Sequence, residues 1–416
     1  MSSNNGFFSR IINAQMSGKK LIDTIIWCLT VLFIALFNIG SLLDFSRYFL
    51  VLITGVVLVL LAIRQGFVFN LKFSYYHIGV ALFILFSFVS SIWARNSSNA
   101  VSSAITILEI FICCCVFYVY YTEKGSEMFF KAIMWAGVIV AFYVIAFYGL
   151  SGLEKLVNNS EQMDKDEIDN ANSIGFACSV SVIISIYYYV EKREKLSLLA
   201  SIPCIVVLAI TTSRTALFET VLGVLFIFVI KFITEKRLAS LARLFIILAI
   251  IVSLAVVIYN SKLFSLLGER IDKLFKELST GSGVDHSAHI RSQMIKAGWR
   301  MFLNNPIGGV GMGNASFVVL SDLGVVWGYL HNNYIEMLAN GGIIGFAIYY
   351  SIYAVLFVNL LKRKAFRFSA GRLALVILIT QLFVDYGTVS YYSKSTYVIL
   401  AALYIALGEI RGIKND

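Results

Sequence analysis

The chain has 416 residues, of which 59% are hydrophobic and only 14% charged, against about 45–50% and about 25% in soluble domains. Together with a mean hydropathy of +0.82, these figures exclude a water-soluble enzyme, a disordered chain and a collagen-like repeat. The formal charge of +10 does not point to nucleic acid, because Lys and Arg fall in short clusters between apolar runs, the distribution of cytoplasmic loops in membrane proteins, and not on one continuous face.

Residues 1–21 are polar and basic with no small-residue cleavage site, and read as a cytoplasmic tail with no removable signal peptide. Apolar runs of spanning length come next, near 22–43, 48–63, 74–93, 101–121, 131–150, 172–190, 196–212, 215–231, 244–260, 334–361, 373–391 and 395–410. At about 20 residues per crossing, the expected fold is an all-α polytopic membrane protein of about twelve transmembrane helices. An inside N-terminus places 21 of the 34 Lys and Arg residues in cytoplasmic segments, five of them between Lys362 and Arg372. The six cysteines lie in apolar runs and act as small hydrophobes. His77 reads as a locally satisfied interface histidine, and the pairs Tyr75-Tyr76 and Tyr391-Tyr392 as an aromatic belt.

The resulting division is a tail (1–21), helices 1–9 (22–260), a long extracytoplasmic segment (261–333), and helices 10–12 with a C-terminal tail (334–416). Residues 151–171 form a second long outer segment. The 261–333 segment opens with Leu263, Phe264, Leu267, Ile271, Leu274, Phe275 and Leu278 at helical spacing, which fits a helix lying on the membrane surface or packed on its own bundle. A GSG stands at 281–283, then a helix around Ser287–Leu303 that stops at Asn305-Pro306. The next stretch, IGGVGMGN, lacks the strand and βαβ unit of a dinucleotide loop. Its glycines Gly308, Gly309, Gly311 and Gly313 predict a tight backbone path, whose N–H groups could also cradle a diphosphate. His286 and His289 in DHSAH have no third ligand, so no metal site is predicted.

Ionisable residues in lipid are costly and mark function or a partnered pair. Arg214, Glu219, His331, Glu336 and Asp385 all fall near one depth, toward the extracytoplasmic surface. Glu109, near mid-membrane, is the exception and reads as a structural partner.

The run HNNYIEMLANGGIIG, His331–Gly345, resembles the His-Asn, nine residues, Gly, two residues, Gly pattern of the O-antigen ligase and polymerase superfamily. His331, Asn332, Gly342 and Gly345 occupy its fixed positions. Upstream, RSQMIKAGWRMFLNNPIGGVGMGN, from Arg291 to Asn314, is similar to that family's Arg-bearing helix followed by Asn-Pro, glycines and Asn, and SRTALF around Arg214 to its arginine turn. The resemblance is clearest over about 200–350.

It implies a glycosyltransferase of the cytoplasmic (inner) membrane, with its active site facing the periplasm or cell exterior. The donor is a saccharide on a polyprenyl-diphosphate carrier, and the acceptor a saccharide or lipid-linked saccharide. His331 is the implied base for the acceptor hydroxyl, with Arg214 and Arg291 gripping the diphosphate. Asn332, Gly311, Gly313, Glu219, Glu336 and Asp385 are the candidate substrate-binding residues. No cofactor is implied, and a metal-independent reaction is expected because Asp164-Lys165-Asp166 is the only Asp-x-Asp pair in the outer segments. Polymerase and ligase are not distinguished by these motifs. A protein O-oligosaccharyltransferase and a twelve-span transporter are the alternatives, the latter disfavoured by the lack of half-to-half similarity and of a midplane polar site.

Overall fold

The computed structural model describes residues 4–39, 46–69, 72–157, 171–211, 213–235, 286–323 and 329–412. Lipid offers no partner to a peptide group, so an apolar run that crosses alone must be helical. The helices are α1 (Asn4–Ile39), α2 (Ser46–Gln65), α3 (Tyr75–Val89), α4 (Ser97–Lys124), α5 (Ser126–Val157), α6 (Ala171–Lys192), α7 (Lys195–Ile210), α8 (Arg214–Glu235), α9 (His286–Asn304), α10 (Ala315–Leu323), α11 (Asn333–Lys362), α12 (Ser369–Gly387) and α13 (Lys394–Gly412). No strand occurs among the described residues. Among those residues nine helices are long and apolar enough to cross a membrane, which makes the chain a multi-pass membrane protein.

The expected count is about twelve. The run at 244–260 lies outside the described residues, as do the surface helix at 263–278, the GSG and Asp164–Asp166. Of the other eleven runs, α7 is only 16 residues long, and neither it nor α13 is among the nine. The helix expected over Ser287–Leu303 is α9. Helix α1 reaches back to Asn4, so the polar tail continues the first span.

Polar contacts separate the two ends of the bundle. At one end Arg64 on α2 bridges Asp23 of α1 (2.5 Å) and Glu123 of α4 (2.7 Å), and Lys124 also reaches Asp23 (2.5 Å). Beside them Lys131 on α5 contacts Glu127 (3.1 Å) and Glu194 (2.9 Å), Lys192 pairs with Glu127, and Glu191 receives both Lys231 (3.7 Å) and Arg372. These residues belong to the basic clusters that the sequence assigns to one side. Partly exposed pairs of this kind add little stability, around 0–1 kcal/mol each, but they hold neighbouring helices in register at one level.

The opposite end holds the α3–α4 turn, the starts of α6, α8, α11 and α13, and the end of α12. Two aromatic pairs differ from expectation there and along α3. Tyr76 and Tyr391 are buried instead of standing at the interface, because their hydroxyls have partners inside the bundle. Tyr76 donates to the Tyr397 carbonyl (3.2 Å), and Tyr391 accepts from Asn340 Nδ2 (3.4 Å). His77 caps its own helix, its Nδ1 accepting from the Ser74 N–H (3.2 Å), and the cysteines are free thiols.

The segregation of ends makes a topology test direct. Cysteines introduced at the exposed Ser292 on α9 and Lys362 at the end of α11 should react with an impermeant maleimide from opposite sides of the membrane; labelling of both in intact cells would remove this topology.

Candidate functional site

Gly342 breaks α11. Its backbone sits at φ +57°, ψ −161°, a conformation open to glycine and strained for other residues. The interrupted ladder strands carbonyls before the break and N–H groups after it, and an unpaired buried backbone group costs about 1–3 kcal/mol. The segment 306–311 supplies partners on both sides. Val310 and Gly311 donate to the carbonyls of Ala339 and Asn340 (both 2.9 Å), while Ile343 and Ile344 donate to Pro306 (2.8 Å) and Ile307 (3.2 Å). Two main chains therefore cross in contact. A Cβ on Gly309 would strike the Asn340 backbone, and one on Gly342 the Ile307 carbonyl. The two glycine runs that look independent in the sequence serve one crossing.

The crossing also engages donors that, by sequence, could serve a diphosphate. Gly309 N–H goes to Asn305 (3.0 Å), Gly311 to Asn340 and Asn314 to Gly311 (3.2 Å), while Met312 N–H goes to Ser90 Oγ (3.0 Å). Gly311 thus contributes through its backbone path, and Gly313, at φ +69°, lies against Ser103. Asn340 completes the block: its Oδ1 accepts from the N–H of Asn314 (3.0 Å) and Ala315 (2.7 Å), capping α10.

His331 precedes the start of α11 and is held from both sides. It is buried and adopts φ +58°, a left-handed conformation in which histidine is over-represented among non-glycine residues. On one side Leu330 donates its N–H to Glu336 Oε2 (2.6 Å). On the other, Asn332 caps α11, its Oδ1 accepting from Ile335 N–H (3.0 Å) and its Nδ2 donating to the Tyr386 carbonyl (3.2 Å). The imidazole packs on Tyr329 with ring centroids 4.3 Å apart. Glu336, buried at the first turn of α11, therefore acts on the backbone beside His331.

Asp385 is fully buried near the end of α12. It accepts from Ser390 Oγ (2.5 Å), Tyr350 hydroxyl (3.0 Å) and Asn333 Nδ2 (3.3 Å). Asn333 in turn donates to Tyr350 (2.8 Å) and accepts from the N–H groups of Ser390 (3.0 Å) and Tyr391 (3.1 Å). One amide and one carboxylate thus lock α11 to α12 and to the turn that leads into α13.

Against this block lies a cavity of about 270 Å³, whose polar lining includes Asn172, Glu219, Tyr329, Gln381, Ser390 and Lys394. Tyr329 connects it to His331, and Ser390 to Asp385. Glu219 is buried, and its Oε2 lacks a hydrogen-bond partner among the described residues. Arg291, on α9, has a buried Nε without an acceptor among them. It lies one and two turns from Met294 and Gly298, and Gly298 packs on Leu330 and Ile335. Arg214 heads α8; its neighbour Thr215 touches Gly387, next to the Tyr386 carbonyl held by Asn332. The structure thus joins His331, Asn332, Glu336 and Asp385 in one block and places Glu219 in the adjoining cavity. The two arginines stand at the same end of the bundle, outside the cavity lining.

Sequence reasoning misses Asn333, Asn340, Gln381 and Lys394, and reads Asn314 only as the closing residue of a motif. For the amides the available signal is a polar side chain inside an apolar run, which needs a partner in lipid as an ion does; a reading restricted to ionisable groups passes over it.

The backbone crossing gives a stability prediction. Gly342→Ala should cost about 1–3 kcal/mol, the scale of a forced unusual backbone conformation, while Gly55→Ala, whose Cβ would enter open space on α2, should be neutral. Thermal unfolding of the detergent-purified variants checks this; equal midpoints would remove the crossing as a structural requirement. Asn333→Ala, which orphans the Ser390 and Tyr391 N–H groups and takes one of three donors from the Asp385 carboxylate, should lower the midpoint in the same assay by a comparable amount.

Comparison with known proteins bears on this same region. Residues 199–350 match the family described as O-antigen ligase. Over 312 residues the chain is 25% identical to the teichuronic acid biosynthesis protein TuaE of Bacillus subtilis (strain 168), an alignment covering 68% of this chain and 61% of that protein. The chain therefore spans about three fifths of the length of the curated relative it matches. Both arginines, the glycine crossing and His331 lie inside the segment 199–350 that matches the O-antigen ligase family, the family its motifs resemble.

Proposed function

We propose that this protein is a membrane glycosyltransferase that takes a saccharide from a polyprenyl-diphosphate carrier and joins it to a hydroxyl of a second saccharide, free or lipid-linked, during assembly of a cell-surface polysaccharide. The observation that carries the reading is His331, fixed in a left-handed conformation within the family segment and packed on Tyr329, which lines the polar cavity. The teichuronic acid role of TuaE supports a polysaccharide product, in the manner of a polymerase or a ligase.

In this mechanism the acceptor hydroxyl attacks the anomeric carbon while passing its proton to the neutral imidazole of His331. The new C–O bond forms as the bond to the carrier oxygen breaks, and the bonding pair leaves on the diphosphate. Arg214 and Arg291 receive the growing charge through forked donors that stay protonated. Asn332, Glu336 and Asp385 hold His331 and its helix in place, and Glu219, with Gln381 and Asn172, offers hydrogen-bonding groups to sugar hydroxyls. Gly311 and Gly313 shape the backbone that supports them. The basic clusters at the opposite end favour a cytoplasmic location for that end, which turns the site toward the outer face of the cytoplasmic membrane. The guanidinium pair takes the charge-neutralising task of a metal ion, so the reaction needs none.

The test is glycan transfer from a defined lipid-linked donor by purified protein. His331→Ala should stay folded and lose about 10²–10⁴-fold in turnover, the contribution of a general base. Arg214→Lys and Arg291→Lys should remain impaired, because the ammonium keeps the charge but not the second donor, and EDTA should leave the wild type active. Near-normal transfer by His331→Ala, or full loss with EDTA, overturns the mechanism.

A further inference from the structure

A second cavity, of about 320 Å³, opens at the charged end of the bundle, between the start of α3 and the ends of α4, α11 and α13. Its size is at the lower end of the ~300–1,000 Å³ typical of small-ligand sites. It shares no lining residue with the cavity beside His331. Two charged side chains line it, Lys72 and Glu409. Neither makes an ion pair with a residue among those described, and they do not pair with each other.

The Glu409 carboxylate is fixed. One oxygen accepts from the Ser126 N–H and the other from Ser126 Oγ (2.5 Å). An ionised carboxylate has about four lone-pair sites, so the two bonds from Ser126 leave capacity for a further donor. Lys72 lies on the exposed rim and brings three donors. Thr122 and Asn359 also line the cavity; their hydroxyl and amide each donate to a carbonyl of their own helix and retain acceptor capacity. Phe73 at the mouth is apolar and exposed, and exposed apolar residues also stand on the two neighbouring helices, Ile78 on α3 and Val358 on α11.

The occupant must satisfy both charges in one small volume. A purely anionic group would leave Glu409 opposed by like charge, a purely cationic one would leave Lys72 so, and a neutral saccharide would neutralise neither. A group with a phosphate and a primary ammonium two carbons apart meets both, and its acyl chains would lie along these exposed apolar residues at interface depth. We propose that this cavity binds the headgroup of a phosphoethanolamine lipid, its phosphate on Lys72 and its ammonium on Glu409, as a structural lipid site separate from the transfer site.

The measurement is lipid retention by the full-length protein, delipidated in detergent and then given dioleoyl phosphatidylethanolamine, phosphatidylcholine or phosphatidylglycerol, read by native mass spectrometry. The wild type should retain the ethanolamine lipid about fivefold more than either other, the scale of one favourable charge contact at a membrane surface. The choline lipid has no N–H to donate, and the glycerol lipid has no cation. Lys72→Ala should reduce that retention severalfold, and Glu409→Gln should abolish the preference over the glycerol lipid. If Glu409→Gln folds poorly because Ser126 is disturbed, Lys72→Ala, on the exposed rim, decides the matter. Equal retention of the three lipids by wild type, a preference for the glycerol lipid, or unchanged ethanolamine-lipid retention in Lys72→Ala overturns the proposal. Because the readout is binding, failure here is distinct from failure of the transferase reading.

Discussion

A peptide group removed from water must find its hydrogen bond inside the protein, and the break in α11 is where this rule shapes the molecule most. A straight helix from Asn333 to Lys362 would satisfy itself. Gly342 gives that up, and the segment from Pro306 to Gly311 supplies four bonds from outside the helix. The four bonds of this repair run between main-chain groups, so the close approach depends on glycine, and side chains such as Ser90 and Asn340 then hold the rest of the α9–α10 connection. Its consequence is positional. The first two turns of α11 are released from the spanning part, and together with the cap they carry Asn332, Asn333, Glu336 and Asn340, whose contacts arrange the surroundings of His331.

The two ends of the bundle use different chemistry for a common physical reason. At one end the helices are registered by ion pairs that remain partly exposed, where charge is cheap and each pair contributes little. At the other, the contacts run through buried asparagines, with Glu336 and Asp385 each held by specific donors. Burying an ion without full satisfaction costs several kcal/mol, whereas an amide with all its bonds made costs far less. Asn333 illustrates the solution: its amide makes four hydrogen bonds, two of them to the main chain that leads into α13. A network satisfied this fully is rigid, and rigidity is what a site needs if its base is to be aimed before substrate arrives.

The helical class and most helix positions are legible in the sequence because the apolar runs are long and separated by charge. The helix from His286 to Asn304 and its stop at Asn305-Pro306 are legible too, since a proline after an asparagine is a local signal. The placing of His331, Arg214 and Asp385 at one end also comes from span counting. Long-range pairing is not legible. Nothing local says that the glycines at 308–311 meet Gly342, because the partners are some thirty residues apart and their relation is purely geometric. Tyr76 and Tyr391 look interfacial for the same reason: a tyrosine at the end of an apolar run is alike in sequence whether its hydroxyl meets water or a buried carbonyl. Only the contact with Tyr397 or Asn340 separates the two.

The left-handed backbone of His331 links these levels. A histidine with positive φ carries a conformational cost that the surroundings must offset, and here the offset comes from the bonds that flank it: Leu330 N–H on Glu336, and Asn332 on both Ile335 and Tyr386. Each of these partners is a residue of α11 or of the end of α12, and the two helices are themselves joined by Asn333 and Asp385. Removing a bond from that chain would not move His331 alone; it would weaken the reason for its backbone to stay where it is. The conformation of one residue is therefore a property of the whole bundle end, and a polar cavity beside a base held in this way has a fixed wall against which a flexible saccharide can be oriented.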